Sequence, residues 1–116
     1  MIDFKLITHK KYLIMSDITV QELKKRLDAG DKSFVFIDVR EPYEYQEFNL
    51  GAQLIPLGNI PSAIADLEEH KADEIVVHCR SGARSGQAKM FMMQNGFTNV
   101  RNLEGGVLAW QSAFGK

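Results

Sequence analysis

The sequence predicts an α/β fold with a central, mostly parallel sheet of four or five strands and helices on both faces. Two observations support this prediction. Short continuous apolar runs, typical of strands buried on both faces, alternate along the chain with segments of helical periodicity. Capping residues and glycines mark the ends of these segments, and a regular alternation of strand and helix favours a parallel sheet.

Composition and charge fit one small domain. The 116 residues are 45% hydrophobic and 25% charged, and a chain of this length buries roughly 65% of its unfolded surface, enough for one core. With 14 basic and 15 acidic residues the formal net charge is −1, so neither nucleic acid nor a membrane is predicted as a partner. No apolar run is long enough for a secretory signal or a membrane span.

The sequence contains one cysteine, Cys79. A single cysteine excludes an intramolecular disulfide and a multi-cysteine zinc site. Neither a metal nor a cofactor is predicted. A lone thiol is easiest to maintain in a reducing compartment, so we expect a cytoplasmic location.

The chain begins with a segment that we predict to be separate from the main domain. Residues 1–15 are interpreted as a short N-terminal strand or a loosely held arm, and residues 16–116 as the domain itself. Thr19 and Glu22 have the spacing of a capping box, and apolar residues follow at helical intervals until Gly30. These signals predict the first helix.

The rest of the chain alternates between predicted strands and helices. The predicted strands are residues 34–37, 54–57, 75–78 and 98–102. One helix is predicted from Asn59 through Leu67 and another from Arg84 to Asn95. A last helix, which carries Trp110, follows a pair of glycines.

Cys79 directly follows the third predicted strand and precedes a tight turn and a helix. In open α/β sheets the active site lies at the carboxyl ends of the strands. Backbone N–H groups at the turn and helix start, together with Arg80 and Arg84, favour a thiolate and lower the expected pKa of Cys79. We therefore interpret Cys79 as a nucleophile; the alternative is an inert, buried thiol.

The segment that contains this cysteine resembles a known active-site loop. Residues 79–85, Cys-Arg-Ser-Gly-Ala-Arg-Ser, are similar to the active-site loop of the rhodanese family of sulfurtransferases. The other segments that resemble the family are residues 38–45, 51–57 and 105–110. The matches run in the expected order from about Thr19 to Trp110, although residues 47–52 lack a histidine that the family often carries there. The resemblance implies a single rhodanese-like domain.

The resemblance implies a sulfurtransferase in which Cys79 is catalytic. Cys79 would take a sulfane sulfur from a small donor such as thiosulfate and hold it as a persulfide. The acceptor would be cyanide or a thiol, and a sulfur-accepting protein is a further expected partner. The implied substrate-binding residues are Arg80, Ser81, Gly82, Ala83, Arg84 and Ser85.

Three neighbouring polar residues are predicted to support the site rather than to react. Asp38 is expected to tie the loop, and Arg40 to pair with a carboxylate such as Glu41 or Glu44. His78 adjoins the nucleophile, but adjacent strand residues point to opposite faces of a sheet. We therefore predict His78 to be a strand residue with a satisfied hydrogen bond rather than a catalytic base.

Two other functions are weighed against the enzyme. A persulfide carrier or sensor that delivers sulfur to one partner protein would have the same loop. A related cysteine phosphatase or arsenate reductase is the weaker hypothesis, because dual-specificity-type phosphatases use Cys-x5-Arg. Arg84 gives Cys-x4-Arg, and Ser85 stands where a phosphatase needs its arginine. In the resemblance, the loop 79–84 is sized for a sulfur atom, not for a phosphoryl group.

Overall fold

A computed structural model describes residues 16–116 and shows the predicted α/β architecture. The strands are β1 (Val35–Asp38), β2 (Gln53–Leu54), β3 (Ile75–His78) and β4 (Val100–Asn102), all parallel and in the order β2-β1-β3-β4. Ile18 adds an isolated parallel bridge to Leu103. The strand or arm predicted for residues 1–15 lies outside the described residues.

Within residues 16–116, five α-helices connect and flank the strands. They are α1 (Val20–Asp28), α2 (Pro42–Glu47), α3 (Ile60–Ala63), α4 (Ala83–Gln94) and α5 (Gly106–Phe114), with 3-10 turns at Leu57–Asn59 and Glu68–His70. The Thr19 cap of α1 is confirmed, because its hydroxyl accepts the N–H of Glu22 at 3.1 Å. In the part of the chain that the structure describes, none of the helices has the length and apolar character needed to cross a membrane.

Two helices differ from the sequence prediction. The short helix α2 was not predicted; Pro42 occupies its first turn, and the Glu41 N–H donates to the carboxylate of Glu44 at 2.9 Å. The helix predicted to run through Leu67 ends at Ala63 instead. The chain continues in turns, where the Leu67 N–H is shared between two carbonyl groups, as is common when a helix tightens.

The alternation of side chains along β3 divides the core between two faces of the sheet. Ile75 and Val77 pack with the cluster that includes α3 and α4, while Val76 packs with the cluster next to α1 and α5. Helices on both faces explain why the central strand is apolar along nearly its whole length. The same alternation directs Cys79 to the α4 side and His78, against Phe36, to the opposite side.

The parallel arrangement brings several polar residues to one edge of the sheet. Asp38 lies opposite His78 in the register of β1 and β3, and Asn102 lies opposite Val77 in the register of β3 and β4. Cys79 follows β3 directly at this edge. The carboxyl ends of three neighbouring strands therefore surround the cysteine, as expected for an open α/β sheet.

Candidate active site

The loop after β3 folds its backbone around the sulfur of Cys79. Gly82 has φ +106, in the left-handed region that favours glycine, and it precedes the first residue of α4. This turn points the N–H of Gly82 at Cys79 Sγ at 3.1 Å, and the N–H of Ser85 at the same atom at 3.4 Å. The first turn of α4 thus supplies amide donors to the sulfur.

A third contact to the sulfur comes from a side chain. The Ser85 hydroxyl oxygen, which is buried, lies 3.3 Å from Cys79 Sγ. Burial raises the pKa of the Cys79 thiol, but hydrogen bonds from the Ser85 hydroxyl and from the backbone N–H groups of Ser85, Gly82 and Ser81 outweigh it, so the pKa is lowered overall. Of the two causes that the sequence predicts, backbone N–H groups and arginines, the backbone N–H groups are among the main ones here, and the Ser85 hydroxyl adds to them.

The carbonyl groups of the loop are held by a second helix. At the start of α5, the N–H of Val107 donates to the Cys79 carbonyl and that of Leu108 to the Arg80 carbonyl, both at 3.0 Å. Gly106 has φ +58, and a Cβ at this position would lie 2.5 Å from each of these two carbonyl oxygens. Only glycine therefore fits where the α5 terminus meets the loop.

The two arginines of the loop have different surroundings. Arg84 forms a bidentate ion pair with Glu44 on α2, at 2.8 and 2.9 Å. The Arg84 guanidinium lowers the pKa of the Glu44 carboxyl to about 2. Arg80 is exposed, and within residues 16–116 it has no ion-pair partner. Arg80 also lines a cleft of about 300 Å³ between the loop, α2 and α5.

Asp38 and Arg40 bind each other beneath the site. Arg40 donates to the Asp38 carboxylate at 2.8 to 3.1 Å and to the Phe48 carbonyl at 2.7 Å. The prediction that Arg40 pairs with a carboxylate is confirmed, but the two named examples, Glu41 and Glu44, are wrong. The partner is Asp38, which is two residues away and fully buried. The Asp38 carboxylate accepts the backbone N–H of Arg40 at 3.0 Å and so ties the turn that follows β1. Within residues 16–116, no hydrogen bond joins this carboxylate to the loop 79–85.

His78 is fully buried on the face opposite the cysteine, as predicted. The predicted hydrogen bond is absent, because neither ring nitrogen has a hydrogen-bond partner among the described residues. Nε2 lies 3.5 Å from the Asp38 carboxylate without suitable hydrogen-bond geometry. Burial lowers the pKa of His78 to about 4, so the ring is neutral at physiological pH.

Asn102 belongs to the site and was missed by the sequence analysis. Its side-chain NH2 donates to the Gly82 carbonyl at 2.9 Å, its Oδ1 lies 2.6 Å from Ser85 Oγ, and its backbone N–H donates to Asp17 at 2.9 Å. The available signal was its position, since a polar residue that ends β4 shares the sheet edge with Cys79. Asn102 joins the turn at Gly82 to the hydroxyl that faces the sulfur.

The structure therefore divides the predicted loop residues into two groups. Gly82, Ser85 and the Ser81 amide surround the sulfur, and Ala83 begins the helix that supplies the donors. Arg80 and Arg84 lie outside this inner ring, one exposed and the other paired. The inner ring is built to stabilise a negative charge on sulfur.

Comparison with known proteins identifies this architecture. The family model described as "Rhodanese-like domain" matches residues 19–113, nearly the whole described region. The chain belongs to the rhodanese-like domain family. The family predicted from the loop and its flanking motifs is thus confirmed, and the family's activity in general is sulfur transfer.

Individual relatives agree with the family assignment. A sulfurtransferase from Allochromatium vinosum is 34% identical over 98 residues, which cover 84% of this chain and 89% of the relative. A putative mitochondrial thiosulfate sulfurtransferase from Schizosaccharomyces pombe is 38% identical over 103 residues, with coverages of 78% and 72%. Some other curated relatives are longer, and this chain matches only about a quarter of their length.

Solved structures show the same fold. A crystal structure of a rhodanese-like domain protein from Staphylococcus aureus has a TM-score of 0.72 and 32% sequence identity, and the superposition covers 83% of this chain and 91% of that one. The solved structure supports the fold, and the relatives named as sulfurtransferases support a sulfurtransferase activity for a domain of this family.

Proposed function

We infer that Cys79 takes the outer sulfur of a small anionic donor, thiosulfate, and holds it as a persulfide before passing it to cyanide or a small thiol. The observation that supports this proposal is the ring of donors around the sulfur, in which two backbone N–H groups and one hydroxyl lie within 3.4 Å of Sγ. Such a ring stabilises both a thiolate and the persulfide anion that replaces it.

The first half-reaction balances without a cofactor. The Cys79 thiolate attacks the outer sulfur of thiosulfate and forms a new S–S bond. The S–S bond of thiosulfate breaks, and its electron pair leaves with sulfite. The product on the enzyme is a persulfide anion, so the total charge is the same before and after the step.

Size and charge favour thiosulfate among possible donors. Cys79 is only 1% exposed, so the approach to its sulfur is narrow and suits a small molecule. Arg80 belongs to the loop and has no ion-pair partner among the described residues, so it can attract the sulfonate end of a dianion. The relative from Schizosaccharomyces pombe described as a putative thiosulfate sulfurtransferase agrees with this choice.

The second half-reaction needs an external nucleophile. Cyanide attacks the outer sulfur of the persulfide, thiocyanate leaves, and the Cys79 thiolate is restored. The sequence contains no second cysteine, so no internal thiol can resolve the persulfide. Two successive half-reactions with a covalent intermediate predict ping-pong kinetics.

Mass spectrometry of the intact protein tests the proposal directly. Incubation with thiosulfate is expected to add one sulfur, about 32 Da, which dithiothreitol removes. The Cys79→Ser variant, checked for the native fold by circular dichroism, is the matched control and is expected to gain no mass. An unmodified wild-type protein, or an equal gain in Cys79→Ser, would contradict the proposed function.

A persulfide carrier for a partner protein is the second candidate. Two exposed apolar side chains favour it: Leu108, whose amide binds the loop, and Tyr43, next to the residue that pairs with Arg84. Apolar groups beside a reacting centre are typical of protein docking surfaces. A carrier would form the persulfide stoichiometrically but turn over slowly with cyanide and small thiols, whereas the enzyme would turn over with both substrates in steady state.

A further inference from the structure

The Ser85 hydroxyl lies between two groups that both accept hydrogen bonds. Its oxygen is 3.3 Å from Cys79 Sγ and 2.6 Å from Asn102 Oδ1. A serine hydroxyl has one proton to donate. It cannot donate to the sulfur and to the amide oxygen at the same time.

The orientation of the Asn102 amide follows from its other contact. Its nitrogen lies 2.9 Å from the Gly82 carbonyl, which can only accept a hydrogen bond. The NH2 group must therefore face Gly82, and the oxygen must face Ser85. At 2.6 Å two oxygens need a proton between them, so the Ser85 hydroxyl donates to Asn102 whenever this short contact is present.

We propose that Asn102 is a positioning residue that competes with Cys79 Sγ for the single proton of the Ser85 hydroxyl. While Cys79 is a thiol, its S–H donates to Ser85 Oγ and the Ser85 proton points to Asn102. When the thiol loses its proton to solvent, the hydroxyl rotates and donates to the thiolate. Asn102 then loses this hydrogen bond, which opposes ionisation of the cysteine.

The proposal rests on Cys79 as the reacting group, and it refines how the protein sets the reactivity of that group. A strong donor to sulfur stabilises the thiolate but also lowers its nucleophilicity. By withholding part of the Ser85 hydrogen bond, Asn102 keeps the sulfur more nucleophilic than the ring of donors alone would leave it.

Other charged groups near the loop are unchanged by substitutions at Asn102. Arg84 is paired with Glu44, and Asp17, which accepts the Asn102 backbone N–H, is also bound by Lys89 at 2.7 Å. Other ionisable groups near the loop include the exposed Arg80, the Asp38–Arg40 pair and the neutral His78. Glu47 and Lys116 line the cleft that Arg80 also lines. In Asn102→Leu, a change in the ionisation of Cys79 can thus be assigned to the Ser85–Asn102 contact or to the Gly82 contact, whereas in Asn102→Asp the added charge also contributes, and the Ser85→Ala background separates the two causes.

Two substitutions at Asn102 distinguish the Ser85 contact from the Gly82 contact, because the proposal predicts that they shift the pKa of Cys79 in opposite directions. Asn102→Leu and Asn102→Asp both remove the donor to Gly82, so a purely structural role predicts the same loss for both, with the charge of Asn102→Asp as the one difference. Under the proposal, Asn102→Leu frees the Ser85 proton for the sulfur and lowers the pKa of Cys79. Asn102→Asp holds that proton more firmly, adds a negative charge, and raises the pKa.

The rate of alkylation by iodoacetamide across a pH series measures the pKa of Cys79 without any sulfur donor. The rate at pH 6 is expected to rise about twofold to fivefold in Asn102→Leu, since a larger thiolate fraction outweighs a lower nucleophilicity, and to fall in Asn102→Asp. In a Ser85→Ala background, the rise caused by Asn102→Leu is expected to disappear. Thermal unfolding of each variant identifies any that fail to fold.

The alkylation rates decide the proposal about Asn102, and they do so without depending on whether the protein transfers sulfur. Slower alkylation in both Asn102 variants, or an unchanged effect of Asn102→Leu without the Ser85 hydroxyl, would overturn the competition. If Asn102→Leu does not fold, the Asn102→Asp and Ser85→Ala variants still decide the point. Asn102→Asp must alkylate more slowly than wild type. The factor by which Asn102→Asp slows alkylation must be larger with Ser85 present than in the Ser85→Ala background. A failure of sulfur transfer with the expected alkylation pattern would instead reject the proposed function alone.

Discussion

Arg84 and Glu44 are joined by two parallel hydrogen bonds, Nη1 to Oε1 at 2.8 Å and Nη2 to Oε2 at 2.9 Å. This pair connects the first turn of α4 to α2, which are 40 residues apart in the sequence. The Glu44 side chain is 13% exposed and Arg84 is 33% exposed, so water only partly screens the pair. One of the two positive charges that the sequence assigned to the donor site is therefore neutralised, and Arg80 is the loop arginine without an ion-pair partner within residues 16–116.

Removal of Arg84 alone is expected to weaken the binding of thiosulfate, because it leaves the Glu44 carboxylate without its partner. In Arg84→Ala the unpaired Glu44 repels a dianionic donor, and the KM for thiosulfate is expected to rise about threefold to tenfold. The double variant Glu44→Gln/Arg84→Ala removes both charges and is expected to recover most of this loss. Steady-state kinetics with cyanide as acceptor provides the measurement. No recovery in the double variant would mean that Arg84 itself binds the donor.

Arg80 is expected to attract the donor directly. Arg80→Gln should lower kcat/KM for thiosulfate about threefold to tenfold at low ionic strength, and the difference from wild type should shrink as salt is added. Lys25→Gln, an exposed charge on α1, is the matched control for the change in net charge and is expected to have no such effect. Equal losses in the two variants would show that only the overall charge matters.

Gly106 is expected to be essential for the loop. Gly106→Ala places a Cβ 2.5 Å from the carbonyl oxygens of Cys79 and Arg80 at a residue with φ +58. We expect a loss of about 2 to 4 kcal/mol in the free energy of unfolding, together with slower persulfide formation, because the α5 terminus must move away from the loop. Urea unfolding and the thiosulfate mass assay measure the two effects. Gly58→Ala, which has open space and no positive φ, is the control and should resemble wild type.

The elements that could be predicted from the sequence are those whose structure is determined by residues close together in the chain. The third strand, residues 75–78, was predicted with the correct ends because four apolar or buried residues lie between clear turns. The position of Cys79 between a strand and a helix followed from the same pattern. The resemblance to the family's motifs then predicted residues 79–85 together as the active-site loop.

The parts that sequence reasoning missed depend on contacts between distant segments. Asn102 and Ser85 are 17 residues apart and meet only because β4 lies beside β3 in the sheet. The partner of Arg84 is on a helix, α2, that is six residues long and carries little periodicity. Arg40 had several candidate carboxylates within a few residues, and packing selected Asp38.

His78 is expected to make the protein less stable as the pH falls. Its ordinary pKa is 6.5, and burial lowers the pKa to about 4 in the folded protein. Between these values the unfolded chain binds a proton that the folded protein does not, so the free energy of unfolding decreases as the pH falls from 6.5 towards 4. The total loss is on the order of 3 kcal/mol. As the pH falls below 4.5, Glu44 is protonated in the unfolded chain but stays ionised in the folded protein, where its pKa is lowered to about 2. The free energy of unfolding therefore decreases further.

Urea unfolding at a series of pH values checks the role of His78. His78→Leu is expected to flatten the decrease between pH 6.5 and 4, because the titrating group is gone. The same slope in His78→Leu as in wild type would assign the pH dependence to other groups.

The length of the loop is expected to exclude phosphatase activity. The donors at Gly82 and Ser85 already lie 3.1 and 3.4 Å from Cys79 Sγ, so they surround one sulfur closely. Wild-type protein should therefore show no appreciable hydrolysis of an aryl phosphate. Insertion of one glycine between Ala83 and Arg84 restores Cys-x5-Arg spacing, but it moves the Ser85 donors away from the sulfur. Loss of such donors is expected to slow persulfide formation about 100-fold.

A glycine inserted between Ala72 and Asp73, in an exposed turn before β3, is the control for the insertion. It lengthens the chain equally without touching the loop, so its sulfur transfer should stay close to the wild-type rate. Weak phosphatase activity in the Ala83–Arg84 insertion, with none in the control, would show that loop length alone separates the two chemistries. Phosphatase turnover by the wild-type protein comparable to its thiosulfate turnover would contradict this explanation, because a loop closed around one sulfur would then also have to accommodate a phosphoryl group.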